Sequence, residues 1–228
     1  MQLKPVLGPV QLVFYSVGVI IGAGVYSVIG AAAGIAQQSL WLSFLIGAFV
    51  ALLTGLSYAE MATAFPHAGA EYVYLRRALP KWDWAAFSVG IVILLGGAAT
   101  AATVAVAFGG YLRVFVDVPV TFAALILLLS CTAFNIWGME ESSRVNIVLT
   151  SVEVTGLLIV IAAGLTRDGM IQPLVATPQP GVLTAAAVLF FVYLGFEEIA
   201  NMTEEVRSPA RDLPPAIVIS IGVTTLLY

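Results

Sequence analysis

Charge is scarce in this sequence. Asp, Glu, Lys and Arg make up 10% of its 228 residues, whereas hydrophobic residues make up 61%, and the mean hydropathy is +1.03. Soluble domains carry about 25% charged residues. Too few polar side chains remain to cover a water-soluble globule, so a soluble domain is excluded. The composition predicts an integral membrane protein whose outer surface faces lipid.

Reactive and metal-binding side chains are also sparse. The one cysteine, Cys131, cannot form an internal disulfide and is expected to be a small buried apolar residue. The one histidine, His67, follows Pro66 and is expected to be a solvated loop residue. Neither a nucleophile with a base nor a set of metal ligands stands out. We therefore expect no enzyme, no metal, no cofactor and no nucleic-acid partner.

Long uncharged runs predict the membrane spans, because a bilayer core about 30 Å thick needs roughly 20 residues of helix. They predict an all-α bundle that forms one transmembrane domain over 1–228. Helices one to five occupy about 9–166, and helices six and seven about 182–228. The individual helices are expected at about 9–35, 40–64, 84–111, between Asp117 and Glu140, at 145–166, at 182–206, and from Pro214-Pro215 onward. A mixed charged segment at 65–83 and a Pro-rich segment before helix six link them.

Basic residues are unevenly distributed between the two sides. One set of loops carries seven of the nine, namely Lys4, Arg76, Arg77, Lys81, Arg144, Arg207 and Arg211, and the other set carries Arg113 and Arg167. Cytoplasmic loops of membrane proteins hold the excess of Lys and Arg. The bias predicts a multi-pass protein of the plasma membrane with a cytoplasmic N-terminus.

Helix one contains two closely spaced glycines, Gly22 and Gly24. Glycine weakens a helix by about 1 kcal/mol relative to alanine, and it lets backbone approach a ligand closely. One interpretation is an unwound segment whose free N–H groups face an anionic group. The alternative is helix packing, because Gly18 and Gly22, like Gly30 and Gly34, form faces of small residues.

Helix six is short, because its uncharged run covers only 182–196. It crosses the membrane only if the polar stretch that follows is shielded inside the protein. The polar residues share a helical face: Glu197, Asn201 and Glu204 or Glu205. Acids at mid-membrane are costly and usually line a cavity or pathway. The alternative is a short helix after which Glu197 begins a cytoplasmic loop.

Glu153 is a second acid within a predicted span, helix five. An internal hydrogen bond would make it a structural residue, whereas a proton or cation site would make it a functional one. Interrupted helices at matching positions in two halves of a chain indicate a transporter site. Helices one and six are five apart, which fits an inverted repeat of five helices that opens with a broken helix.

Three motifs resemble the amino acid–polyamine–organocation (APC) superfamily of amino acid permeases. GVIIGAGVY at 18–26 resembles its first-helix signature. YAEM at 58–61 with FPHAGAEYVYLR at 65–76 resembles its second-to-third helix region. FFVYLGFE at 190–197 with EEVRSPARDLP at 204–214 resembles its sixth-helix signature. The order of the motifs is that of the family, and the resemblance covers nearly the whole chain.

The resemblance implies alternating-access transport of amino acids or related amines on a five-plus-five inverted repeat. It implies that backbone N–H groups in the helix-one break bind the substrate carboxylate. Carbonyls in the helix-six break would face the amino group, with Phe191 packed over the substrate. The substrate-binding candidates are Ile20, Gly22, Ala23, Gly24, Phe191, Leu194 and Gly195, and the coupling or gating candidates are Glu153 and Glu197.

The chain departs from the family in two ways. Some proton-coupled members carry a lysine in helix five in place of a sodium ion, and Glu153 stands there or nearby, so coupling to a proton or to sodium is left open. The fold needs at least ten helices, and six and part of a seventh are counted, so we expect a truncated N-terminal fragment. Two functions remain: a secondary transporter, or a non-transporting truncated subunit or inert partner protein.

Overall fold

The computed structural model describes residues 7–67, 69–137, 139–166 and 179–228. These residues are mostly α-helical, and the prediction of an all-α membrane protein is confirmed. The helices are α1 (Pro9–Ile21), α2 (Gly24–Ala36), α3 (Leu40–Ala64), α4 (Ala70–Ala78), α5 (Asp83–Leu112), α6 (Val120–Trp137), α7 (Met139–Leu165), α8 (Val182–Tyr193), α9 (Phe196–Asn201) and α10 (Pro209–Leu227). Lys4, Arg167 and most of the predicted Pro-rich link lie outside the described residues.

Five stretches of the described chain are long and apolar enough to cross a membrane: Gly24–Ala64, Asp83–Leu112, Val148–Leu165, Val182–Glu205 and Pro209–Leu227. The first contains both α2 and α3, while α1 and α6 are shorter apolar helices. Predicted helix one comprises α1 and α2, and predicted helices two to five are α3, α5, α6 and α7. Predicted helix six comprises α8 and α9, and predicted helix seven is α10.

Three helix boundaries differ from the prediction. The segment 65–83 was expected to be a mixed link, but it contains α4, whose first turn holds Glu71 and whose last turn holds Arg76 and Arg77. This charge order suits the helix dipole. In addition, α7 begins at Met139 rather than near 145.

The third difference is the start of α10. It begins at Pro209, so Pro214 and Pro215 lie inside the helix rather than at its start. Pro209 occupies the first helical position, where proline is favoured because its missing N–H would have no acceptor. The N–H groups of Arg211 and Asp212 donate to the carbonyl of Ser208 at 3.0 and 2.9 Å, which fixes the earlier start.

The buried core lies between the two halves of helix one, α3, α8, α9 and α10, which pack against one another. Its members include Leu12, Ile20, Leu189, Phe196 and Ile217, each at most 2% exposed. Outer helices such as α5 and α6 expose most of their apolar side chains. The prediction that Cys131 is buried is wrong: it is exposed on α6, since an apolar side chain of a spanning helix can face lipid instead of protein.

A short backbone bridge joins the start of α1 to the segment that follows α9. The N–H of Leu7 donates to the carbonyl of Glu205 at 3.0 Å, and the N–H of Arg207 donates to the carbonyl of Leu7 at 3.2 Å. Leu7 and Val206 thus pair as in a parallel ladder. The first residues of helix one and the last residues of helix six therefore meet.

Candidate functional site

Helix one is interrupted between α1 and α2. The N–H of Gly22 still donates to the carbonyl of Gly18 at 3.3 Å, but Gly22 itself has φ 19° and ψ −168°, which is not helical. The N–H of Ser27 donates to the carbonyl of Ala23 at 3.1 Å, at the beginning of α2. The N–H groups that precede Ser27 have no acceptor within α2. They form a helix N-terminus, which favours an anionic group.

Helix six is interrupted between α8 and α9. Leu194 is extended with φ −59° and ψ 148°, and Gly195 has φ 121°, a conformation that favours glycine. The N–H of Gly195 donates to a carboxylate oxygen of Glu197 at 2.8 Å. The alternative in which Glu197 begins a loop is wrong, because Glu197 lies in the first turn of α9.

The two interruptions face each other. A Cβ at Gly195 would lie 3.1 Å from the carbonyl oxygen of Val19, and a Cβ at Gly24 would lie 3.4 Å from the Cα of Val192. Glycine therefore allows the two broken segments to approach closely. Gly24 was not part of either predicted packing face, yet the backbone of α8 is its neighbour. Among the described residues, a Cβ at Gly22 would meet only the carbonyl oxygen of Val19, on its own helix, at 3.2 Å.

The glycines of the two predicted packing faces, which include Gly18 in the first and Gly30 and Gly34 in the second, differ in whether a neighbouring helix lies against them. A Cβ at Gly18 would lie 3.0 Å from the side chain of Thr150 on α7. A Cβ at Gly30 or Gly34 would meet no atom within 4 Å in the described part of the chain. Within those residues, close packing therefore explains Gly18 but not the second pair.

A cavity of about 640 Å³ lies at the two interruptions. Its lining comes from both halves of helix one, from α3, α4 and α5, and from α8 and α9. All seven substrate-binding candidates line it: Ile20, Gly22, Ala23, Gly24, Phe191, Leu194 and Gly195. Of the two acidic candidates, Glu197 lines it and Glu153 does not.

Glu153 is placed next to α2 instead. The hydroxyl of Tyr26 donates to its backbone carbonyl at 3.1 Å, while the hydroxyl of Tyr111 donates to the carbonyl of Tyr26 at 2.6 Å. The side chain of Glu153 is partly buried. The helix that carries Glu153, α7, also packs against α1.

Several lining residues were missed by the sequence reasoning. The hydroxyl of Tyr58 on α3 donates to the carboxylate of Glu71 at 2.6 Å, and Thr54 lies one turn before Tyr58. On α5, small residues recur at helical spacing and form one wall: Gly96, Gly97, Thr100, Ala101 and Val104. The regular spacing of the small residues on α5 could have predicted this wall. The Tyr58–Glu71 pair could not have been predicted beyond the presence of both residues in the second motif.

The cavity is lined by acidic and not by basic side chains. Glu71, Glu197 and Glu198 contribute carboxylates, and Lys, Arg and His do not occur among the described residues that line it. Asn201 joins this end of the cavity to the loop before α4, because its side-chain oxygen accepts the N–H of Gly69 at 3.1 Å. In the described part of the chain, no group of three His, Cys, Asp or Glu could hold a metal ion.

Tyr74 on α4 lies beside the Tyr58–Glu71 pair, in a neighbouring pocket that all three line. Burial, together with the charge of Glu71, raises the pKa of Tyr74 to about 12. The hydroxyl therefore stays protonated at physiological pH. It has no hydrogen-bond partner among the described residues.

Tyr228 at the end of α10 was also missed. Its hydroxyl donates to the carbonyls of Ile20 and Ile21, at the end of α1, at 3.2 and 3.0 Å. The carbonyl of Val192 in α8 lies 3.5 Å away. One side chain therefore contacts the carbonyl ends of both interrupted helices.

Two spanning helices that are broken at glycine and meet around one cavity form the arrangement of secondary transporters. The sequence matches the model of one family, described as amino acid permease (AA_permease_2), over residues 7–228. The chain belongs to this family, within the APC superfamily, as its three motifs predicted.

Individual relatives show the same relationship. The chain is 31% identical to the branched-chain amino acid permease BcaP of Bacillus subtilis (strain 168), over 100% of this chain and 53% of that protein. It is 31% identical to the inner membrane transport protein YbaT of Escherichia coli (strain K12), over 99% and 54%. It is 35% identical to the vacuolar cationic amino acid transporter 4 of Arabidopsis thaliana, over 100% and 42%. The chain spans about half the length of these relatives.

Proposed function

We propose that this chain is the substrate-binding N-terminal part of a secondary active transporter of amino acids or related amines. It supplies the first five-helix repeat and the opening helices of the second, and transport proceeds by alternating access. The observation that carries the proposal is the meeting of the two broken helices at one cavity. Its volume of about 640 Å³ lies within the range of about 300–1,000 Å³ for small-molecule sites. The names of the relatives support the substrate class.

The polarity of the cavity suggests how an amino acid is oriented. Basic side chains are absent from the described lining, so the substrate carboxylate is bound by backbone N–H groups at the helix-one break, where the dipole of α2 is favourable. Ala23 and Gly24 supply them, since the N–H of Gly22 already donates to the carbonyl of Gly18. The ammonium group faces the opposite break, near the carbonyls of 191–195 and the acidic residues beyond them. Phe191 packs over the substrate.

The two acidic candidates have different roles in this proposal. The carboxylate of Glu197 accepts a hydrogen bond from the N–H of Gly195. Protonation of this carboxylate, or substrate binding to it, therefore changes the conformation of the break, as a gate requires. Glu153 lies outside the cavity lining, on the helix α7 that packs against α1, and serves as the coupling site, for a proton or for sodium. The basic bias of the loops puts the N-terminus on the cytoplasmic side of the plasma membrane.

Uptake in proteoliposomes tests the proposal. The protein is purified as its own gene encodes it, beside the isolated 228-residue chain, and both are supplied with a panel of labelled amino acids. We expect saturable uptake by the longest encoded protein and none by the isolated chain, because backbone groups exposed at the breaks need further helices to shield them from lipid.

Two outcomes would overturn this account. Absence of uptake by the longest encoded protein, with every amino acid and amine tested, would favour the non-transporting subunit. Saturable uptake by the 228-residue chain as a monodisperse monomer would show that the minimal transport unit is smaller than proposed.

A further inference from the structure

A third pocket lies on α4 and the segment that precedes it, apart from the substrate cavity. It has a volume of about 420 Å³ and is lined by His67, Tyr72, Val73, Arg76 and Arg77. None of these residues lines the substrate cavity. We propose that this pocket binds the phosphate headgroup of an anionic phospholipid from the surrounding leaflet.

The position of the pocket is at the membrane surface. It lies on the segment between two spanning stretches, which end at Ala64 and resume at Asp83. A Cβ at Gly90, two turns into α5, would lie 3.9 Å from the ring of Tyr72, so α4 packs along the end of that span. Aromatic residues of this kind collect at the level of the headgroups.

Two tryptophans near the start of α5 mark the same level. Trp82 and Trp84 are 53% and 66% exposed, and their rings are stacked with centroids 5.8 Å apart. Exposed indole rings favour the interface between lipid and water. The segment that carries the pocket therefore lies at the level of the headgroups.

The two arginines are positioned by aromatic rings. The Cζ of Arg76 lies 6.0 Å from the ring centre of Tyr72, and its Nη1 donates to the hydroxyl of that tyrosine at 3.3 Å. The Cζ of Arg77 lies 5.7 Å from the ring centre of Phe65. A guanidinium group that lies against a ring still has N–H donors that are not used. Two of them can bind two oxygens of one phosphate in a bidentate manner.

Nearby carboxylates only partly offset this positive charge. The Nε of Arg76 lies 3.9 Å from Asp83, with both side chains largely exposed, and His67 lies 3.8 Å from Glu204. Exposed ion pairs of this kind contribute little. Arg77 forms no ion pair within the described residues, and Lys81 adds a further positive charge to the same segment.

Lipid retention measured by native mass spectrometry tests the proposal. The protein, as its own gene encodes it, is purified in detergent and equilibrated with equal amounts of phosphatidylglycerol and phosphatidylcholine. We expect preferential retention of phosphatidylglycerol, weakened about fivefold by Arg76→Ala and about fivefold by Arg77→Ala, the factor that about 1 kcal/mol per basic residue gives. Arg113→Ala is the matched control, since Arg113 is exposed at the other end of α5.

Further variants separate the possible sources of binding. Arg77→Lys keeps the charge but loses the bidentate geometry, so we expect an intermediate loss. If an alanine variant is not monodisperse, this lysine variant and the salt dependence of the unaltered protein carry the test.

Equal losses in Arg76→Ala and Arg113→Ala, or no preference for phosphatidylglycerol, would overturn the proposal. Displacement of the lipid by millimolar inorganic phosphate would also overturn it and assign a soluble phosphate site.

Discussion

The hydroxyl of Tyr228 donates a hydrogen bond to the carbonyl of Ile21, 3.0 Å away, where α1 ends. The last carbonyls of a helix have no donors within it, so α10 supplies a donor that α1 lacks. The Tyr228 ring is held in place by Phe44 and Tyr193, each with its ring centroid 5.7 Å away. The geometry of the helix-one break thus depends on a residue far along the chain.

Replacing Tyr228 by Phe tests this contact, because the ring is kept and only the hydroxyl is lost. A buried carbonyl that loses its donor costs about 1–3 kcal/mol. We expect the free energy of unfolding to fall by that amount and amino acid binding to weaken, measured by denaturant unfolding and by calorimetry. Tyr193→Phe is the control, since its hydroxyl donates to the carbonyl of Phe44 in α3 instead. Equal loss of binding in both variants would contradict a specific role for Tyr228.

Gly24→Leu is expected to abolish amino acid binding and to lower stability by about 1–3 kcal/mol, as overpacking does. A Cβ at Gly24 already reaches contact distance with the backbone of Val192, so a larger side chain displaces α8. Gly30→Leu, on the same helix and with no atom of the described residues within 4 Å, should leave both quantities unchanged. Binding and thermal unfolding are measured in parallel, and binding that survives in Gly24→Leu would remove the helix-one break from the site.

Gly195→Ala places a side chain at φ 121° and 3.1 Å from the carbonyl oxygen of Val19. Strain of this kind costs about 1–3 kcal/mol, so we expect a clear drop in the midpoint of thermal unfolding. Gly222→Ala lies in α10, where no atom of the described part of the chain is within 4 Å of the new Cβ, and helical alanine gains up to about 1 kcal/mol over glycine. The two substitutions should therefore have opposite signs. Agreement in sign would show that Gly195 relaxes easily and that the break is not rigid.

Glu153→Gln removes a charge outside the cavity. If Glu153 is the coupling site, the variant should bind amino acids with nearly unchanged affinity but lose most of the pH or cation dependence of uptake. Binding is measured by calorimetry, and uptake is measured in proteoliposomes across a pH series and with and without sodium. Glu60→Gln on α3, exposed in the structure, is the control. A dependence that persists in Glu153→Gln would assign this residue to structure.

The orientation can be tested by labelling cysteines from outside the cell. After Cys131→Ser, single cysteines are placed in the 65–83 segment and in the 167–180 segment. We expect an impermeant thiol reagent to label only the second, because the first carries the cytoplasmic excess of basic residues. Equal labelling at both positions would overturn the predicted topology.

The spans and both breaks could be predicted from the sequence because their causes are local. Uncharged runs set the spans, and the glycines Gly22 and Gly24 marked the first break. The second break was predicted from the short uncharged run before Glu197, while Gly195 was named only through the resemblance to the family. The start of α10 was misjudged although its cause is also local, since the Pro214-Pro215 pair outweighed the Ser208-Pro209 pair that begins the helix.

The walls of the cavity could not be predicted in the same way. Tyr58 bonds Glu71 across the turn between α3 and α4, and Tyr228 reaches α1 from α10. Such pairs depend on how helices pack, which no periodicity in one helix reveals. The same reason explains Glu153: its position within a span was evident, but its absence from the cavity lining was not.

The backbone bridge at Leu7 has a mechanical consequence. Its two hydrogen bonds, to Glu205 and from Arg207, join the outermost residues of helix one to those of helix six. A tilt of α1 away from the bundle must carry the 205–207 segment with it or break both bonds at once. The two interrupted helices are thereby joined at their shared end, so a displacement of α1 would be shared with the segment that follows α9.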